Sequence, residues 1–188
     1  MRVLNFEEYN SEKSNLVDSI INGSLFIYPT DTIYGIGCNA ELSNPVKKIR
    51  QLKRRATNPF SVIAPSKVWV RENCVLTSEA EKWLSKLPGP YTLILKIKKN
   101  CVAKEVNPGL KTLGVRIPNH WINNIIAEAD VPVVTTSVNK SNEDYMTSLE
   151  DLDPAIKAGV DFILYDGIKE GKPSKIIDLT EKVKVIER

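Results

Sequence analysis

Ser24-Leu25-Phe26-Ile27-Tyr28-Pro29-Thr30-Asp31-Thr32-Ile33-Tyr34-Gly35 decides the fold. Residues 24–28 are a compact apolar run of strand length, closed by a proline that opens at once into hydroxyl and acidic side chains. Upstream, Leu16, Ile20 and Ile21 fall at helical spacing, and Gly23 supplies a C-terminal stop. Downstream, Asn44-Pro45 predicts a helix start ahead of the stripe Val46, Ile49 and Leu52. Residues 60–64 read as a second buried strand. Ser78-x-x-Glu81 then predicts a capping box before Ala80, Trp83, Leu84 and Leu87. Pro88-Gly89-Pro90 breaks the chain, and residues 91–98 alternate as a strand with Tyr91, Leu93, Leu95 and Ile97 on one side. Strands at 113–117 and 131–137 bracket a helix face of Trp121, Ile122, Ile125 and Ile126. A helix opening at Asp153-Pro154 precedes strands at 161–165, 175–179 and 182–186. No repeat, low-complexity stretch or linker interrupts this order. It predicts one α/β domain over residues 1–188, a twisted mixed sheet flanked by helices.

A chain of 188 residues is one ordinary domain, and 42% hydrophobic with 26% charged residues excludes a disordered chain, a collagen-like fibre and a disulfide-dense module. Twenty-six basic against 23 acidic residues leave +3, a bias too small to indicate nucleic acid by itself. No apolar run approaches the ~18 residues of a spanning helix. The start, MRVLNFEEYNSEK, is polar and acidic where a signal peptide is basic and then apolar. The expectation is a cytoplasmic protein with no membrane partner. Cys38, Cys74 and Cys101 are odd in number, far apart and without a C-x-x-C, so they read as reduced thiols. A single histidine, His120, excludes a histidine-rich metal centre and any triad needing two.

Three familiar signatures fail. Gly35-Ile36-Gly37-Cys38-Asn39-Ala40 fits G-x-G-x-x-A, but that motif joins a strand directly to a helix, and here the next helix signal is at Asn44. Gly167 to Lys172 resembles a phosphate loop with its glycines one residue too close, and Pro173 stands where the magnesium-binding hydroxyl belongs. No G-x-S-x-G elbow is present, so serine hydrolysis has no support.

More informative is where polar residues follow apolar strands. Thr30, Asp31, Thr32 and Tyr34 follow the first strand, and Thr135, Thr136, Ser137 and Asn139 close another; Arg116 lies inside a third, with Thr112 ahead of it. Such placement points to a shared crevice, although ordinary turn chemistry also explains either cluster alone. Six of the nine residues 47–55 are Lys or Arg. Lys47, Lys48 and Arg50 are expected on the solvated side of the helix. Lys53 and Arg55, at its end, suit either the negative helix terminus or a triphosphate.

Pro29-Thr30-Asp31-Thr32-Ile33-Tyr34-Gly35, Lys53-x-Arg55, Pro88-Gly89-Pro90-Tyr91-Thr92, Gly114-Val115-Arg116-Ile117-Pro118, Ser137-x-Asn139 and Pro173-Ser174-x-Ile176 occur in that order. Together they resemble the YrdC-like family of threonylcarbamoyl-AMP synthases, in its short single-domain form. The resemblance implies a twisted α/β sheet with a positively charged cavity. It also implies the conversion of L-threonine, bicarbonate and ATP, with magnesium, to threonylcarbamoyl-AMP and pyrophosphate. A partner tRNA threonylcarbamoyl transferase would then modify adenosine 37. By the same resemblance, Lys53, Arg55, Ser137 and Asn139 hold the ATP phosphates and the acyl-phosphate region. Thr112, Ser174 and Arg188 match further nucleotide positions, and Thr32, Tyr34, Arg116 and Thr135 match the threonine pocket, Arg116 against the carboxylate. The family's usual histidine in the strand after K-x-R has no counterpart in Ser61-Val62-Ile63-Ala64. A rival reading is a non-enzymatic module of the same fold that binds RNA, double-stranded RNA included, through the basic helix. The lack of aromatics within that basic run argues against it.

Overall fold

Successive residues of a strand point to opposite faces, so one strand can turn a greasy side to one layer and a different chemistry to the other. The computed structural model describes residues 1–141 and 143–186. In chain order these form β1 (Arg2–Leu4), α1 (Phe6–Ser11), α2 (Lys13–Ile21), β2 (Phe26–Tyr28), β3 (Gly35–Gly37), α3 (Ser43–Leu52), β4 (Ser61–Ile63), α4 (Lys67–Asn73) and α5 (Ser78–Ser85). There follow β5 (Tyr91–Lys96), β6 (Thr112–Arg116), α6 (Ile122–Ala129), β7 (Val133–Ser137), α7 (Pro154–Gly159), β8 (Phe162–Leu164), β9 (Lys175–Asp178) and β10 (Lys184–Ile186). All the strands join one mixed sheet in the order β1-β8-β2-β3-β7-β4-β6-β5-β9-β10.

The register sorts the side chains by face. Ser61 pairs with Thr135 on one side and with Gly114 on the other. Gly35 pairs with Ser137, Ile94 with both Gly114 and Asp178, and Thr92 with Ile176. Cross-strand partners share a face, so a band of hydroxyls and glycines forms along one side of the sheet. Ile27, Ile36, Val62, Leu93, Val115 and Val134 point the other way, into the larger core. The polar side is covered at one end only: there Phe26, Tyr28, Ile63 and Val133 pack beneath Leu16 and Ile20 of α2 and Ile122, Ile125 and Ile126 of α6. Beyond that cover, two cavities open over Ser61, Thr92 and Gly114 or its neighbours.

Four elements, β1, α1, β3 and α4, lie where no element is predicted. β3 is Gly-Ile-Gly and carries no apolar alternation. Its glycines are needed for close packing: a Cβ on Gly37 would sit 2.1 Å from the Val134 carbonyl oxygen, and one on Gly35 2.8 Å from the Tyr28 ring. These are strand residues, and the next helix begins only at Ser43, which accounts for the failure of the dinucleotide pattern. Two caps differ from expectation by a residue or more. Thr77, not Ser78, accepts the Ala80 N–H at 3.2 Å, and α3 starts from Leu42 with no side-chain cap.

Arg50 is the main correction. It is buried, not solvated. Its Nε donates to the Glu105 carbonyl (2.7 Å) and its Nη1 to those of Arg55 and Ala56 (both 3.0 Å), while the guanidinium lies 4.5 Å from the Phe60 ring centre. The loop after α3 folds back over this side of the helix, and its carbonyls need a donor. Among the described residues no helix is long and apolar enough to cross a membrane. Cys38 and Cys74 are buried, Cys101 is half-buried, and all three are free thiols whose pKa values burial pushes up.

Candidate active site

Arg116 ends β6 and is only 5% exposed. Nη2 donates to Asp31 Oδ1 at 2.6 Å and lies 3.3 Å from Thr32 Oγ1; Nε is buried with no partner among the described residues. Asp31 is itself fixed, accepting the Asn119 N–H on its other oxygen at 3.0 Å. Burial lowers the Arg116 pKa and the Asp31 charge raises it again. A guanidinium stays charged even so, and a donor left over in a buried fork is suited to an incoming carboxylate.

That side chain lines a cavity of about 200 Å³, whose floor is Gly35, Ser61, Thr92, Thr135 and Ser137. Its walls come from the β2–β3 loop (Thr30, Ile33, Tyr34), from Tyr145, and from Pro173 and Ser174. Thr32 touches Arg116 from behind this wall. Tyr34 gives the wall its ring, and its hydroxyl is spent elsewhere: it donates to the Gly167 carbonyl (2.6 Å) and accepts the Asp166 N–H (3.0 Å). Burial pushes its pKa well up, so it serves as packing and as a tie, not as an acid. Ser174 also faces this cavity, 2.7 Å from Thr92 Oγ1.

The segment that resembled a phosphate loop closes the same cavity. A Cβ on Gly171 would lie 2.2 Å from the Thr32 carbonyl oxygen, and Tyr145 donates to the Gly171 carbonyl at 3.1 Å. Asp166 bonds His120 Nε2 at 3.1 Å and Lys169 at 3.3 Å, pinning the start of the segment. Burial lowers the His120 pKa, while Asp166 acts the other way.

A second cavity, about 350 Å³, lies alongside and shares Ser61 and Thr92 with the first. Arg55, Pro59 and Phe60 form one side; Thr112, Gly114 and Ile94 the floor; Ile176, Asp178 and Thr180 the other side. Arg55 is half-buried, its Nη2 donating to the Pro59 carbonyl at 2.8 Å and its guanidinium 5.2 Å from the Phe60 ring centre. This cavity mixes flat apolar surface with hydroxyls and one cation.

Lys53 lines neither cavity. It is 1% exposed, and Nζ donates to the Ser137 and Asn139 carbonyls (2.7 Å for the latter) and to Asn139 Oδ1 at 2.9 Å. Burial, then the neighbouring Arg55 charge, push its pKa down to about 7, whereas three oxygen acceptors match the three protons of an ammonium. Lys53 therefore meets Ser137 and Asn139 as expected, but as a strut under their backbone. Ser137 Oγ donates to Asn139 Oδ1 at 2.7 Å, and Asn139 Nδ2 to the Glu143 carbonyl at 2.6 Å. Arg188 lies outside the described residues.

The sequence reading gave no role to Asp31, Ser61, Thr92, Tyr145 or Asp178. The signal for Ser61 and Thr92 is alternation itself: Ser61-Val62, Thr92-Leu93 and Gly114-Val115 each place a small or polar residue opposite a buried apolar one.

A family model described as "Telomere recombination", for Sua5, YciO and YrdC, matches residues 18–188. A putative threonylcarbamoyl-AMP synthase of Methanocaldococcus jannaschii is 36% identical over 184 residues, 95% of this chain and 85% of that one. The threonylcarbamoyl-AMP synthase of Pyrococcus abyssi is 34% identical over 177 residues, 90% of this chain but 51% of that protein. The crystal structure of P. abyssi Sua5 complexed with L-threonine superposes with a TM-score of 0.85 at 30% identity, covering 96% of this chain and 54% of that one. The chain thus spans about half the length of the Pyrococcus protein. E. coli YciO, 24% identical, shares the fold with a TM-score of 0.85 over 100% of this chain and 94% of its own.

Proposed function

The chain belongs to the Sua5/YciO/YrdC family, and we propose that it is a threonylcarbamoyl-AMP synthase, supplying N6-threonylcarbamoyladenosine formation at tRNA position 37. L-Threonine, bicarbonate and ATP give threonylcarbamoyl-AMP and pyrophosphate. The neutral threonine amine forms a bond to the bicarbonate carbon and water leaves. A carbamate oxygen then bonds to the α-phosphorus as the bond to the β-phosphate oxygen breaks. No covalent enzyme intermediate is needed, so the protein's task is to orient the partners and keep water from the carbamate.

One observation carries this reading: two neighbouring cavities of different size and chemistry share a wall of two residues. The smaller suits an amino acid. Arg116 Nε would hold the threonine carboxylate, with Thr135 and Ser174 around the remainder, the Tyr34 ring as wall and Thr32 behind Arg116. The larger suits a nucleotide, with Arg55 on one side, Thr112 on the floor and Pro59, Phe60 and Leu110 as apolar surface. Ser137, on the floor of the smaller cavity and braced with Asn139 by Lys53, would meet the phosphates where the two cavities join. A site that bonds the threonine hydroxyl rejects analogues lacking it.

Magnesium fits as a companion of the triphosphate. Among the described residues no three His, Cys, Asp or Glu side chains converge as a resident metal site, and the donors facing the cavities are mostly hydroxyls. Bound to the nucleotide, it would shield the charge on the phosphates. The RNA-binding reading has less support, because Arg50 and Lys53 turn inward onto carbonyls and break the basic run as a phosphate-tracking stripe. The product, unstable in water, would pass directly to a tRNA threonylcarbamoyl transferase.

The test is pyrophosphate release in CO2-depleted buffer. Release that requires threonine, bicarbonate and ATP together is expected. Release that ignores threonine contradicts the assignment.

A further inference from the structure

The two residues of the shared wall differ in what their hydroxyls do. Thr92 Oγ1 and Ser174 Oγ are 2.7 Å apart and buried, one donating to the other. Ser61 Oγ bonds to nothing among the described residues, although Ser61 lines both cavities. The space it occupies exists because β6 has a glycine beneath it: a Cβ on Gly114 would lie 2.3 Å from Ser61 Oγ and 3.3 Å from Thr92 Cγ2. A free donor thus stands at the seam, with Arg116 on one side and Arg55 on the other.

Chemistry puts one group at that seam. A carbamate is a single carbon with two oxygens, joined at one end to the threonine nitrogen and destined at the other for the α-phosphorus. With threonine in the smaller cavity and ATP in the larger, the carbamate has to sit where they touch. We propose that Ser61 binds the carbamate, donating its hydroxyl proton in a hydrogen bond to one carbamate oxygen so that the other faces the α-phosphate. The proton stays on Ser61, and the bonds made and broken are those of the overall reaction. This rests on the synthase reading and adds to it the residue that senses the one-carbon substrate.

The test uses the full chain with Ser61→Ala. A hydrogen bond to a charged group is worth about ten- to a hundredfold. The apparent KM for bicarbonate is expected to rise by about that factor, with threonine binding, ATP binding and Tm unchanged. An unchanged bicarbonate KM in a folded Ser61→Ala chain overturns the assignment. Equal losses for bicarbonate, threonine and ATP overturn it too, since that pattern marks a merely structural role. Failure of the wild-type chain to release threonine-dependent pyrophosphate would instead sink the synthase reading, and the two failures are distinguishable.

Discussion

The two cavities are built by opposite means. The smaller is closed by strands and by a buried ion pair: Arg116 and Asp31 are fixed at 2.6 Å, and Asp31 is held in turn by the Asn119 backbone. The larger is framed by a loop, residues 53–60, whose shape depends on basic side chains donating to its own carbonyls. The difference suggests a division of labour. A small substrate chosen by shape and hydrogen bonds needs a preorganised wall, whereas a large, charged nucleotide can be met by a long arginine reaching from a loop.

Arg116→Ala is the severest way to break that contrast. It strands Asp31 without its partner, and losing one member of a buried ion pair costs about 3–5 kcal/mol. Urea unfolding should show the destabilisation, and pyrophosphate release should fall at least a thousandfold. Arg116→Lys sharpens the point: the threonine KM should rise about a hundredfold with ATP binding untouched, because a lysine cannot reproduce the fork. A change in ATP binding of similar size would erase the division.

Arg55→Ala probes the other side. The chain should fold with Tm little changed, while the ATP KM rises about ten- to a hundredfold, the worth of a hydrogen bond to a charged group. Threonine binding, followed by calorimetry without ATP, should stay as it was. Lys53→Met tests the strut. It leaves oxygens of Ser137 and Asn139 without their donor, a loss of about 1–3 kcal/mol. Stability should fall together with both substrate affinities; an ATP-only defect in a chain of normal stability would return Lys53 to the phosphates.

The smallest effect concerns pH. Burial lowers the His120 pKa, so on acidification below about 6.5 the unfolded chain takes up a proton that the folded chain resists. Stability should decline as pH falls through that range, and His120→Gln should flatten the decline in thermal melts run across it.

How far the sequence carried this picture depends on the kind of signal. Strands such as Val133–Ser137 and Phe162–Leu164 announce themselves by β-branched or apolar runs, and α7 by Asp153, whose side chain caps the Ala155 and Ile156 N–H groups. β3 is silent because a Gly-Ile-Gly strand is chosen by what packs against it, not by its own pattern. The placement of Arg116, Thr135, Ser137 and Ser174 around one hollow follows the order of motifs along the chain. Arg50 and Lys53 could not be placed by periodicity, which reads a charge run as a solvated face. Only the folded loop reveals carbonyls in need of donors. Asp31 was legible as polar, but its tie to Arg116 spans 85 residues and no local rule reaches that far.

A crystal structure of the chain soaked with L-threonine and a non-hydrolysable ATP analogue tests the division of the two cavities most directly. The threonine carboxylate is expected within hydrogen-bonding distance of Arg116 Nε and the nucleotide beside Arg55 and Thr112, the two meeting at Ser61. Threonine seated beside Arg55, or a nucleotide bound away from both cavities, would contradict it.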